Sequence, residues 1–167
     1  MFTSIDAFLS RWKEQYESTE KVFAVLTDAS LAQPVADDHR TLGRIAWHLV
    51  TTIPEMMNKT GLSVASVEED APLVTTAVEI AAGYSACARE LEKAVREGWT
   101  DTDLEVEDSM YGGAWKRGYT VACLVDHEIH HVGQMSVLMR QAGLRVPGIY
   151  GPAMEDWAQF GMTAPEV

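Results

Sequence analysis

Between Val121 and Ala142 the apolar residues Val121, Leu124, Val125, Ile129, Val132, Met135, Leu138 and Met139 recur at intervals of mostly three or four. That period places them along one face of an α-helix; a half-buried strand would repeat every two residues. The same stretch contains Asp126-His127-Glu128-Ile129-His130-His131, which holds three of the five histidines. His127 and His131 stand four residues apart, one turn on a shared helical face. Their backbones are then about 6 Å apart along the axis, from which two imidazoles converge on one ion.

Three further stretches carry a helical repeat. The first, from about Ser4 to Thr27, has Ile5, Phe8, Trp12, Tyr16, Phe23 and Leu26, with Thr3 or Ser4 as its cap. The second, Leu42 to about Asn58, has Leu42, Ile45, Leu49, Ile53 and Met56, with Thr41 as its cap and His48 beside the stripe. Pro54 falls inside it. Proline lacks an amide donor and crowds the carbonyl of Val50, which predicts a kink or break there. The third, from about Leu73 to Glu97, has Val74, Val78, Ala81, Tyr84 or Ser85, Ala88, Leu91 and Val95, and Gly98 suits the position past its end. Thr120 is expected to cap the fourth helix and Gly143 to close it.

Leu31 to Arg40 and Gly61 to Pro72 read as connections. Trp99 to Tyr119 is about twenty residues long, more than most connections, and reads as a long loop or a short hairpin bordering the site. A short last helix, Met154 to Phe160, offers Trp157 and Phe160 for docking. The expectation is all-α: a four-helix bundle with a short C-terminal helix, one domain over residues 1–167.

Thirteen Lys and Arg against 25 Asp and Glu give a formal charge of -12. Nucleic acid and anionic membranes are disfavoured as partners, since both are polyanions. Cys87 and Cys123 are too few for a disulfide framework and read as small buried residues in a reducing compartment. The start, Met1-Phe2-Thr3-Ser4-Ile5-Asp6, lacks the basic and apolar blocks of a signal peptide, and no apolar run is long enough to cross a bilayer. A cytoplasmic location is expected.

A catalytic transition-metal site typically takes three protein ligands and keeps a position open. His130 is turned about 100° from His131. Cys123 is eight residues from His131, about 12 Å along the axis, too far for one ion to take both. His39 lies in a polar loop beside Asp38. His48 is the remaining helical histidine, so His48, His127 and His131 are the candidate ligands. Alone, His48 would be explained as a core histidine with one hydrogen bond; the joint occurrence favours a metal.

The stretch also matches His-Glu-x-x-His, in which Glu128 would be the general base of a zinc peptidase. No third histidine follows in the extended pattern, and Glu128 can equally lie on a solvated side. No phosphate-cradling glycine loop or nucleophile elbow is present. Trp47, Tyr111, Trp115 and Tyr119 could line a pocket, although core packing is the default for each. Gln134 stands one turn past His131, where it could orient a ligand.

Two blocks, Thr41-Leu42-Gly43-Arg44-Ile45-Ala46-Trp47-His48-Leu49 and His127-Glu128-Ile129-His130-His131-Val132-Gly133-Gln134, together with the tail Arg140 to Pro147 and Tyr150-Gly151-Pro152, resemble the DinB-like superfamily. These are metal-binding four-helix bundles that include YfiT-type proteins. The likeness covers most of the chain. It implies a zinc- or nickel-like divalent ion held by His48, His127 and His131. It further implies a thiol-dependent transferase or isomerase using a low-molecular-weight thiol and a small-molecule substrate, and a homodimer. The alternatives are a non-enzymatic, stress-related metal- or ligand-binding bundle, and the peptidase. The family name refers to induction by DNA damage, not to DNA binding.

Overall fold

A computed structural model describes residues 1–65 and 76–166. Four helices carry the fold: α1 (Ile5–Phe23), α2 (Leu42–Met57), α3 (Ala77–Gly98) and α4 (Arg117–Gln141). A hairpin of β1 (Glu107–Met110) and β2 (Gly113–Lys116) precedes α4, and a 3-10 turn, Met154–Phe160, follows it. The all-α bundle is as expected. Each of α1 and α2 packs against both α3 and α4. The helices that carry His48 and the His127–His131 pair are therefore neighbours.

Ser4, Thr41 and Thr76 start α1, α2 and α3 by accepting the amides of Ala7, Arg44 and Glu79. Such a cap contributes about 1 kcal/mol. The apolar stripes expected on α1 and α2 are all buried, as are those of α4 apart from the partly buried Ile129. Phe8, Trp12, Leu49, Ile53, Tyr84, Leu91 and Leu124 have no exposed surface and form the centre of one apolar cluster.

Several boundaries differ from the expectation. α1 ends at Phe23, and a new 3-10 turn (Asp28–Ala32) begins at Thr27, whose side chain accepts the Ser30 amide. Leu26 still reaches the core from the connection. Pro54 does not break α2, which continues to Met57; the proline is buried in its last turn. Near a helix end fewer hydrogen bonds depend on the missing donor. On α3 Tyr84, Ala88, Leu91 and Val95 are buried as expected, but in the first turn Val78 is 78% exposed and Ile80 is buried in its place. Leu73 and Val74 lie outside the described residues. Gly98 is the last residue of α3, not the one past it.

Thr120 is not the cap of α4, which begins at Arg117. The hairpin runs straight into the helix, and the Arg117 amide donates to the Val106 carbonyl at 2.9 Å. That carbonyl takes the place of a capping side chain. Gly143, with φ +77°, closes the helix as expected, and the Leu144 amide reaches back to Met139 at 2.8 Å. No residue of the 3-10 turn Met154–Phe160 is buried: Trp157 is half-buried and Phe160 exposed. Polar contacts hold that turn, through Arg140–Glu155 and Arg145–Asp156.

The stretch 99–119 is the hairpin alternative. Its two-residue turn, Tyr111-Gly112, has φ +47° and +85°, as a tight hairpin of this twist requires. Arg117 clamps it to α4: Nε donates to Asp108 Oδ2 at 2.8 Å, and the guanidinium lies 5.1 Å over the Trp99 ring.

The first turn of α4 also fastens the N-terminus. The Phe2 amide donates to the Gly118 carbonyl at 2.9 Å, and a Cβ at Gly118 would stand 2.1 Å from the Phe2 carbonyl oxygen. Gly118→Ala is therefore expected to expel this segment and cost about 1 to 3 kcal/mol. Urea unfolding of the variant checks it; an unchanged midpoint would show that the approach is not needed.

Candidate metal centre

His48 projects from the middle of α2, and His127 and His131 from consecutive turns of α4. The three rings meet. His127 Nε2 lies 3.1 Å from His48 Nε2 and 3.1 Å from His131 Nε2. Three ligand atoms, one from each residue, fall within 4.8 Å of one another. All three residues expected from the sequence are thus brought together. His130 is exposed and His39 bonds the Asp37 carbonyl from the surface, so both are outside the cluster, as expected.

Burial, above all, holds the imidazoles neutral. It lowers His48 to about 4, helped by His131, Arg40 and Arg44. It lowers His127 to about 4, helped by His131 and His48. His131 is lowered by burial too, while its bond to Gln134 opposes the shift. That bond, His131 Nδ1 to Gln134 Oε1 at 2.7 Å, fixes the tautomer. A carbonyl oxygen accepts, so the proton sits on Nδ1 and Nε2 keeps its lone pair toward the cluster. Gln134 is thus in the orienting position the sequence suggested.

The donor set fits a transition ion. Two nitrogens on one tetrahedral ion stand about 3.3 Å apart, given metal–nitrogen bonds of about 2.0 to 2.1 Å. The two separations from His127 are 3.1 Å, and all three ligand atoms lie within 4.8 Å of one another. His127 Nδ1 is buried with no partner among the described residues, so its ring is placed for what Nε2 meets rather than for two hydrogen bonds.

A cavity of about 390 Å³ opens beside the cluster. His48 and His127 form its inner end, and Thr51, Thr52, Glu55 and Met56 continue the wall along α2. These α2 positions follow His48 by three, four, seven and eight residues, which is one helical face. Cys123, one turn before His127, lines it from α4, and Tyr111 and Trp115 line it from the hairpin. Cys123 is therefore half-exposed to the cavity, unlike the buried Cys87. Of the four candidate aromatics, Tyr111 and Trp115 reach the cavity, Tyr119 packs on Trp115 at 5.0 Å, and Trp47 is in the core. The sequence reading missed the threonines, Glu55 and Met56, although counting forward from His48 would have found them.

Glu128 does not face this space. It is 1% exposed, and its Oε2 accepts from Tyr84 on α3 at 2.9 Å and from Thr19 on α1 at 3.3 Å. Burial raises it to about 8, against the lowering effect of both hydroxyls. A carboxyl that is protonated at neutral pH and turned into the core cannot take a proton from a water in the cavity. The arrangement removes the basis for the peptidase reading and equally the solvated one.

Two pairs of neighbouring helices, with three neutral histidines converging at one interface beside an open cavity, define a trihistidine helical-bundle protein. The chain belongs to the DinB family, whose model matches residues 1–166. It is 42% identical to the uncharacterized protein YrdA of Bacillus subtilis (strain 168) over 167 residues, all of both chains. It is 44% identical to a DinB-like protein of Bacillus cereus ATCC 10987 with a solved structure (TM-score 0.87), which covers 90% of this chain and 100% of that one. The DinB-like protein YjoA of Bacillus subtilis shares the fold at 16% identity and TM-score 0.69, over 88% of this chain and 99% of that one. Among the described residues no helix is long and apolar enough to cross a membrane.

Proposed function

We propose that His48, His127 and His131 hold one divalent transition ion, zinc or nickel, and that the protein is a metal-dependent transferase that uses a small thiol. The observation that carries the reading is the convergence of three neutral imidazoles, two of which line a cavity large enough for a small molecule. Three neutral ligands leave the double charge of an ion undiminished. An ion held there supplies a Lewis acid that favours the thiolate form of a small thiol. The chain's own residues do the rest. Gln134 holds His131 in the ligating tautomer. Met56 and Trp115 give the cavity apolar walls beside the ion's place. The open cavity favours a transferase over a purely structural metal site, which would close its coordination with protein groups.

Elemental analysis of tag-free protein tests the first half. About one ion per chain is expected in the wild type and none in a His127→Ala, His131→Ala double variant. Conjugation of a generic electrophile with a panel of small thiols, with and without that metal, tests the second. An empty wild type after reconstitution would overturn the metal site. Bound metal without turnover of any pair would leave a metal-binding bundle and remove the transferase.

A further inference from the structure

Among its described lining residues, the cavity beside the histidines carries one formal charge. Of its nine lining residues Glu55 alone is an acid or a permanent cation. Seven residues separate it from His48, so it stands about 10 Å further along α2, at the outer end. Glu55 Oε2 accepts the Tyr111 hydroxyl at 2.5 Å, and Oε1 pairs with Lys59 at 2.9 Å. Lys59 is not part of the wall. Its ammonium also lies 5.8 Å from the centre of the Tyr111 ring. One carboxylate and one aromatic face thus already hold a cation at this corner.

The remaining wall is apolar or weakly polar. Trp115 contacts the Tyr111 ring at 5.5 Å, tilted, and packs edge-on against Tyr119 at 5.0 Å, so two aromatic rings of the hairpin line this wall and a third supports them. Met56 adds a polarisable surface that adapts to flat rings. The faces of aromatic rings attract cations and repel anions. A carboxylate entering here meets Glu55, and none of the described lining residues is a cation that could receive it.

We propose that the cavity takes a small ligand with an apolar body about one aromatic ring in size, its outer end neutral or ammonium-bearing, and that it discriminates against an outer carboxylate. This rests on the metal reading for the inner end, where a sulfur or nitrogen donor faces His48 and His127. The charge preference of the outer end does not depend on a metal.

Three benzylic thiols separate the outcomes: 4-(aminomethyl)phenylmethanethiol, phenylmethanethiol and 4-(mercaptomethyl)benzoate. Calorimetry with zinc-loaded protein is expected to give the ammonium and neutral thiols about tenfold tighter binding than the carboxylate, the scale of two partly screened charge contacts. Glu55→Gln should reduce the ammonium-over-carboxylate ratio to about threefold or less. Equal or tighter binding of the carboxylate thiol overturns the proposal, as does a ratio unmoved by Glu55→Gln. A second pair without sulfur, 4-phenylbutylamine and 4-phenylbutyrate, is titrated into metal-free protein and followed by tryptophan fluorescence. Tighter binding of the amine supports the charge preference even if no metal is found, so the two readings fail separately. Equal binding, or no binding of either at millimolar concentration, overturns it.

Discussion

Freed of metal, the protein is expected to lose stability as the pH rises above about 6.5, through the buried carboxyl of Glu128. Its folded value is about 8 and its ordinary value is 4.5. A group raised in the folded state binds its proton more tightly there than in the unfolded chain. Its contribution is complete below about 4.5 and is lost as pH rises through about 8. For a fully buried group the difference is worth about 5 kcal/mol in all, of which about 2 falls above pH 6.5. His48 and His127 act in the opposite sense. Both are lowered to about 4, so their contribution is present above 6.5 and is lost as pH falls toward 4. The opposing slopes place a stability maximum near pH 6.5. Denaturant unfolding of chelator-treated protein across that range checks it. Glu128→Gln, which keeps the shape and cannot ionise, should flatten the alkaline limb and steepen the acid limb, where Glu128 had opposed the histidines. Parallel profiles for the two proteins would show that Glu128 carries no such shift.

Much of this architecture was legible because its determinants are local. A helical repeat needs only spacing, and α1, α2 and α4 bury the stripes their sequences draw. The trihistidine cluster was legible for a related reason: His127 and His131 share a face by spacing alone, and His48 was the one helical histidine left to meet them. What escaped depends on contacts between elements. Glu128 falls within the apolar stripe itself, between Leu124, Val125 and Val132, yet a carboxyl there reads as solvated until the packing of α1 and α3 supplies Thr19 and Tyr84 as its partners. The start of α4 moved because a hairpin carbonyl, from Val106, replaced the hydroxyl that the sequence offered at Thr120. Val78 and Ile80 are both β-branched and two residues apart, so propensity could not choose which faces inward; the neighbouring helices do. The cavity was half legible. Thr51, Thr52, Glu55 and Met56 follow from His48 by helical counting, whereas Tyr111 and Trp115 arrive through the hairpin, whose placement no periodicity encodes.

Zinc is expected to stabilise the folded chain by about 4 kcal/mol when free metal exceeds its dissociation constant a thousandfold, and to do nothing for the His127→Ala, His131→Ala variant. The pH dependence of that binding separates this site from an exposed cluster of histidines. Protons compete with a metal for imidazole nitrogen. At an ordinary value of 6.5, lowering the pH from 7 to 5.5 would cost about tenfold in affinity for each ligand. Here burial has already displaced the protons: His48 and His127 are lowered to about 4, and His131 is lowered as well. The folded protein is therefore expected to hold zinc at pH 5.5 within about threefold of its affinity at pH 7. Competition against a chromogenic chelator at the two pH values measures this directly. A loss of about a thousandfold would mean that the three rings titrate as solvated histidines and that the cluster opens to water when the metal leaves. A small loss would mean that the fold, rather than the metal, keeps the site deprotonated, so that ligand geometry is prepared before the ion arrives.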